Sequence, residues 1–272
     1  MYRIKKKITL NDTSDLMEIE APLVAKNAQP GHFVILRVDE DGERIPLTIA
    51  GVEGDAVTII YQKLGYSTEK LGKKEEGDYV EDFAGPLGNP AHIRHKDHVV
   101  GVAGGVGAAP LLPQMRAYKE NGSKVTIILG ARNKDQLILK SAYESFADEV
   151  LITTDDGSLG KKGFVTDALL EVLKEENADH VVAIGPVIMM KHTAAMAKDH
   201  GLSVDVSLNP IMIDGTGMCG NCRVTIGGKT YFGCIDGPDF SGEEVDYDEL
   251  IARQSYYKDQ EHECYLRLGK DE

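Results

Sequence analysis

The chain has 272 residues, 44 of them acidic and 30 basic, for a formal net charge of −14. That balance excludes a nucleic-acid binder, which needs a basic face, and no apolar run approaches the roughly 18–20 residues of a membrane span. At 42% hydrophobic and 27% charged, the composition is that of a globular chain long enough for two domains and a small appendage.

Residues 1–10 carry Lys5, Lys6 and Lys7 with no apolar stretch after them, so no secretion signal is expected. Four cysteines, three of them clustered, suit a reducing cytoplasm better than a disulfide scaffold.

Residues 1–96 predict an antiparallel β-barrel. Short alternating runs recur at 2–10, 16–19, 32–38, 56–61 and 79–83, separated by turn signals such as Pro30-Gly31, Asp41-Gly42 and Glu76-Gly77-Asp78. Between them lies Arg44-Ile45-Pro46-Leu47-Thr48. The arginine offers a fork suited to phosphate, Pro46 stiffens the approach, and Thr48 adds a hydroxyl four residues on. A surface arginine beside a strand is the plainer reading. Gly65-Tyr66-Ser67-Thr68 then opens a helical run. It reads as an anion site of backbone N–H groups and hydroxyls, or as an ordinary N-cap. Gly85-Pro86-Leu87-Gly88 breaks the pattern ahead of a domain boundary.

Residues 97–208 alternate strand and helix, which predicts a doubly wound parallel sheet. Strands are expected at 98–103, 125–130, 149–153, 180–184 and 203–207, with helices through Tyr118 and over 136–147, 165–175 and 187–200. The first strand runs into Gly104-Gly105-Val106-Gly107-Ala108-Ala109-Pro110, which reads GGxGxxP rather than GxGxxG. After the first strand of such a sheet, these glycines admit a dinucleotide pyrophosphate to the helix N-terminus. Two further turns fall at strand C-terminal ends, where ligands bind in such sheets: Asp155-Asp156-Gly157 and Gly185-Pro186. The two aspartates suit a ribose, or simply a solvated loop.

Residues 209–272 form the third unit. Asp214 is followed after four residues by Cys219, after two more by Cys222, and after eleven more by Cys234. The run 223–232 reads strand, Gly227-Gly228 turn, strand, a hairpin that returns the third thiolate. The frame matches C-x4-C-x2-C with Asp214 in the first position, and it suits either [2Fe–2S] or a structural zinc. Cys264 is the alternative fourth ligand. From Asp236 to Glu263 there are ten acidic residues against Arg253 and Lys258. That segment reads as a surface helix or partner-docking tail, though a charge run is usually a solvated face.

The three segments in this order resemble the ferredoxin–NADP reductase superfamily with a C-terminal iron–sulfur module. The resemblance implies that Arg44 holds the phosphate of FAD and that Thr48 faces flavin N5. It places Pro46 and Leu47 in the same motif and Gly65, Ser67 and Thr68 in the loop over the flavin pyrophosphate. Gly104, Gly105, Gly107, Ala108 and Pro110 resemble the pyridine-nucleotide turn. Gly185 and Pro186 resemble a Cys-Gly-Pro turn beside the nicotinamide, with Ile184 in place of the cysteine. NADP-specific members carry a Ser-Arg pair where this chain has Asp155 and Asp156, which implies NAD(H). More narrowly, the run 207–223 resembles the dihydroorotate dehydrogenase electron-transfer subunits. It is nearer still to the small subunits of NADH-dependent reduced ferredoxin:NADP oxidoreductases, also known as sulfide dehydrogenase subunits, whose first cluster ligand is an aspartate.

Asp214, Cys219, Cys222 and Cys234 are then the implied [2Fe–2S] ligands. The implied partner is a larger subunit with its own flavin and [4Fe–4S] clusters, through which ferredoxin and NADP(H) are reached by electron bifurcation. The alternatives are a dihydroorotate dehydrogenase subunit and, in another class, a zinc-stabilised nucleotide-binding regulator.

Overall fold

The structure, a computed structural model, describes residues 1–175 and 178–267, with side chains left out at 175 and 264–267. The N-terminal part is one curled antiparallel sheet. Its strands are β1 (Tyr2–Asn11), β2 (Ser14–Glu20), β3 (Phe33–Arg37), β4 (Arg44–Glu53), β5 (Ala56–Gln62), β6 (Tyr79–Val80) and β7 (Asp82–Leu87), in the order β6-β1-β2-β5-β4-β3-β7. Two short helices join it, α1 (Pro22–Asn27) and α2 (Tyr66–Gly72). Alternation sets the inner face: Met17 and Ile19 of β2 are buried while Glu18 and Glu20 face out.

One expectation fails in this sheet. β4 is a ten-residue strand where the sequence suggested only a motif beside one. Its first half, Arg44 to Thr48, pairs with β3, and its second half pairs with β5 after a register shift at Ile49/Gly51. Pro46 thus lies in a half-strand partnered on one side only, where a residue without a donor is tolerated. Gly85, Pro86 and Leu87 complete β7, the last strand of this sheet in chain order.

The second sheet is parallel: β8 (His98–Gly104), β9 (Lys124–Ala131), β10 (Glu149–Thr154), β11 (Lys161–Lys162), β12 (His180–Ile184) and β13 (Ser203–Ser207). The strand order is β11-β10-β9-β8-β12-β13, so the chain reverses direction across the sheet between β10 and β12, and β8 and β12 become neighbours. α3 (Ala108–Glu120) and α4 (Lys140–Glu144) cover one face through Leu111, Met115 and Tyr143. α5 (Val165–Glu175) and α6 (Val187–Asp199) cover the other through Leu169, Met190 and Ala194. Central strands buried on both faces need continuous apolar runs, as Val99, Val100 and Val102 provide. The helix expected over 136–147 shrinks to α4. Leu139 sits in the left-handed region at φ 61, which ends any helix entering from its N-terminal side.

The C-terminal segment carries surface helices, as one reading expected, and it is also built into the fold through a short strand and one face of a helix. The hairpin β14 (Arg223–Ile226) and β15 (Lys229–Phe232) is as expected. After it, β16 (Asp239–Ser241) adds to the parallel sheet antiparallel to β13. α7 (Tyr247–Gln254) then buries Tyr247 and Leu250 with Val224 and Ile226, and α8 (Lys258–Arg267) follows. Among the described residues no helix is long and apolar enough to cross a membrane.

Asp239 of β16 sits where all three segments meet. Its Oδ2 accepts from Gln114 Nε2 of α3 at 2.9 Å, and a Cβ on Gly31 would lie 3.0 Å from that oxygen. Its Oδ1 is buried without a partner. Burial, aided by the charge of Asp205, pushes this carboxyl up to about 7, against the pull of the Gln114 hydrogen bond. A folded pKa above the unfolded value means stability that is complete below about pH 4 and lost as pH rises through about 7. Between pH 5 and pH 7.5, wild type should lose about 2–3 kcal/mol more than Asp239→Asn, at 1.36 kcal/mol per unit. Thermal unfolding across that range checks it, and parallel profiles would refute it.

Candidate functional site

The two glycine turns meet where the strand order reverses. β8 runs through Gly104 into a single turn, Gly105–Gly107, and then α3. β12 runs through the buried Ile184 to Gly185 and Pro186, and then α6. A side chain on Gly107 would clash with the Ile184 carbonyl, so the turns touch only because that position is glycine. A Cβ on Gly185 would lie 3.0 Å from the Gly104 N. No side chain caps α3; the Ala108 N–H donates to the Gly105 and Val106 carbonyls of the turn ahead of it. Pro110 sits in that first turn, where a missing N–H is no loss. The Ala108 carbonyl accepts from the buried Tyr143 hydroxyl at 2.6 Å, which pins the turn from α4. The sequence reading missed Tyr143, because a tertiary contact 35 residues apart has no local signature.

At the end of β10, Asp155 and Asp156 are both exposed. They differ in commitment. Asp156 Oδ1 accepts from the Ser158 N–H at 2.9 Å, and hydrogen bonds from Ser158 hold its carboxyl below the usual range. Among the described residues no hydrogen bond or ion pair engages the Asp155 side chain. Phe164, also missed from sequence, stands 65% exposed just before α5. The next residue, Val165, packs over Gly130 at the end of β9, so Phe164 lies at the same end of the sheet.

In the first sheet, Arg44 begins β4 exposed, and among the described residues nothing bonds its guanidinium. Pro46 is exposed, while Leu47 and Thr48 are half-buried. Ser67 and Thr68 have local duties. The buried Ser67 hydroxyl donates to Glu43 Oε2 at 2.8 Å, which draws the start of α2 against the residue before Arg44. Thr68 Oγ1 accepts from the N–H groups of Leu64 and Gly65, each at 3.1 Å, and donates to the Gly65 carbonyl. The cap reading therefore holds for Thr68. Arg44 and the free N–H groups of the first turn of α2 are what remain for a phosphate.

The cysteine loop rests on β3. Cys222 and Cys234 are buried with Phe33 and Ile35, their sulfurs 3.2 Å apart. Phe33 also pairs with Thr48 across the β3–β4 ladder. Burial, with the neighbouring Cys222 thiol, pushes Cys234 up to about 12. Asp214 accepts from the Thr216 N–H at 2.8 Å and the Cys219 N–H at 3.1 Å, which holds its carboxyl below the usual range. Gly217, at φ 81, has no room for a Cβ against Ile235. Among the described residues no three His, Cys, Asp or Glu side chains converge as a metal set. The loop instead joins Asp214 to Cys219 through backbone and Cys222 to Cys234 through sulfur. The Cys264 side chain lies outside the described residues.

Residues 209–246 match the family model for the iron–sulfur cluster binding domain of dihydroorotate dehydrogenase B, and residues 102–195 match the oxidoreductase NAD-binding domain. A Thermotoga maritima protein, the dihydroorotate dehydrogenase B (NAD(+)) electron-transfer subunit homolog, is 47% identical over 99% of this chain and 96% of its own. This chain belongs to the dihydroorotate dehydrogenase B electron-transfer subunit family. Another member of known structure was solved in a study of flavin-based electron bifurcation by the NADH-dependent reduced ferredoxin–NADP oxidoreductase. It is 45% identical, covers 99% of this chain and 98% of its own, and superposes with a TM-score of 0.94.

A Neisseria gonorrhoeae ferredoxin–NADP+ reductase with bound FAD and NADP shares the fold alone, at 14% identity over 74% of this chain and 90% of its own, with a TM-score of 0.61. The family makes the chain an oxidoreductase electron-transfer subunit using FAD, a [2Fe–2S] cluster and NAD(H). The zinc-stabilised regulator is thereby set aside. Asp214, Cys219 and Cys222 on one glycine-turned loop, with Cys234 returned beside Cys222 by the β14–β15 hairpin, supply the thiolate and carboxylate donors that suit an iron–sulfur cluster.

Proposed function

We propose that this subunit exchanges hydride between NAD(H) and FAD and passes electrons singly to a larger partner subunit. By the family resemblance, that partner would carry a flavin and [4Fe–4S] clusters and reach ferredoxin and NADP(H); the likeness to a chain of an NADH-dependent reduced ferredoxin–NADP oxidoreductase studied for flavin-based electron bifurcation supports this. Bound FAD accepts a two-electron hydride and releases single electrons, and a bound [2Fe–2S] cluster carries one electron at a time. The chain would divide as FAD domain 1–96, NAD(H) domain 97–208 and cluster module 209–272, in a cytoplasmic heterodimer.

One observation carries the reading. Thr48, the residue assigned to flavin N5, sits opposite Phe33, and Phe33 packs on Cys222 and Cys234. Directly paired residues share a face of the sheet, so Thr48 and the buried thiols would lie on the same face, with Phe33 between them. The residues of this chain supply position and charge. Arg44 clamps the flavin pyrophosphate, beside the loop of Gly65, Ser67 and Thr68. Pro46 and Leu47 shape the strand under the flavin. Gly104, Gly105, Gly107, Ala108 and Pro110 seat the nicotinamide dinucleotide pyrophosphate. Gly185 and Pro186 lie beside the nicotinamide. Asp214, Cys219, Cys222 and Cys234 ligate the cluster.

Purified without oxygen, the chain should hold FAD and iron in near-stoichiometric amounts and bleach in the visible on adding NADH. A colourless protein containing zinc would end this reading.

Asp155 rather than Asp156 should contact the adenosine ribose, since its carboxylate is uncommitted. A carboxylate accepts from the 2′-OH and repels a 2′-phosphate. Asp155→Ser should cut the preference for NADH over NADPH by about 10–100-fold, the worth of a charged hydrogen bond of about 1.5–3 kcal/mol. Asp156→Ser should change it far less. Stopped-flow flavin reduction checks this, and equal wild-type rates with both nucleotides would refute it.

A further inference from the structure

The acidic C-terminal segment sends one of its few basic residues back to the cysteine loop. Tyr247 and Leu250 anchor α7 in the core, and the Tyr247 hydroxyl donates to the Gly242 carbonyl at 3.0 Å. From this fixed helix, Arg253 Nη2 donates to the Asn221 carbonyl at 3.0 Å. Gln254 Nε2 donates to the Asn209 carbonyl at 2.9 Å. A second guanidinium acts one residue away, where Arg223 Nη1 donates to the Gly220 carbonyl at 3.1 Å. Gly220 and Asn221 are the two residues between Cys219 and Cys222. Among the described residues no carboxylate forms an ion pair with Arg253 or Arg223, so each guanidinium is committed to a turn carbonyl.

We propose that Arg253 and Arg223 are positioning residues that brace the Cys219–Cys222 turn and raise the reduction potential of the centre it holds. This rests on the cluster assignment above. Each guanidinium binds a turn carbonyl and fixes the peptide planes that join the two thiolates. A fixed positive charge near the centre favours its reduced form, which carries one more negative charge. The acidic segment then has a reason to keep Arg253 amid ten acids: they make the site's surroundings negative, and the arginine offsets that locally.

The test is an EPR-monitored redox titration of the anaerobically purified full chain, with iron and labile sulfide measured on the same samples. Arg253→Gln should retain iron and shift the midpoint to more negative values. The expected change is about threefold in the reduced-to-oxidised ratio, about 28 mV at 59 mV per decade for one electron. Arg253→Lys keeps the charge and should stay near wild type. Arg223→Gln, at an exposed site, should shift the same way and serves if Arg253→Gln folds poorly. Iron-loaded variants with unmoved midpoints would overturn the proposal. So would equal shifts for glutamine and lysine at 253, which would mean packing alone. A wild-type chain without iron would instead overturn the cluster reading, and this proposal with it.

Discussion

Arg44→Ala should lose FAD on desalting while the fold survives. Arg44 is exposed at the start of β4, and no protein group uses its guanidinium among the described residues. Removing it therefore breaks no internal bond and leaves no buried charge behind. What it removes is a bidentate partner for phosphate. At about 1.5–3 kcal/mol for a charged hydrogen bond, FAD affinity should fall by about 10–100-fold. Thr48→Val is the contrasting variant. Thr48 is half-buried opposite Phe33, so the isosteric change should keep FAD bound and slow its reduction by NADH. Flavin absorbance after gel filtration and stopped-flow reduction separate the two roles. Stoichiometric FAD in Arg44→Ala would show that the phosphate is held elsewhere.

Asp214→Ala should cost the cluster, with iron content falling about tenfold or more, since even residues that only support ligands cost 10–100-fold in metal affinity. Asp214→Cys should instead keep a [2Fe–2S] centre with a changed EPR signal and potential, because thiolate is a softer and stronger electron donor than carboxylate. The loop already holds the Asp214 carboxylate in place through the Thr216 and Cys219 N–H groups, five residues before Cys219. Cys264 comes thirty residues after Cys234 and outside that loop, so Cys264→Ser should leave both signal and potential unchanged. Loss of the centre in Cys264→Ser with an intact centre in Asp214→Ala would reverse the assignment.

Much of this was legible from local chemistry. Alternation marked most strands of the first sheet, and valine-rich runs marked the parallel strands. Gly227-Gly228 marked the hairpin, and the two glycine turns marked the strand ends that meet where the strand order reverses. In each case the signal lies within a few residues, because backbone freedom and burial period act at that range. Tertiary structure decided the rest. β4 contains a proline, so its membership in the sheet depends on β3 and β5. Leu139 takes a left-handed conformation that its residue type disfavours, and this cut the expected helix short.

β16 is only three residues long in an acidic stretch, and its pairing with β13 is set by contacts 32 to 36 residues apart. The same holds for functional roles. Asp155 and Asp156 look alike in sequence, and only the Ser158 contact separates them. Arg253 reads as one base in an acidic run until α7 packs and brings it 32 residues back to Asn221. The sequence alone determined which chemistries the chain carries, since these reside in residue type and short spacing. Which groups meet depended on long-range packing, whose energy is spread over many apolar contacts that no short motif records.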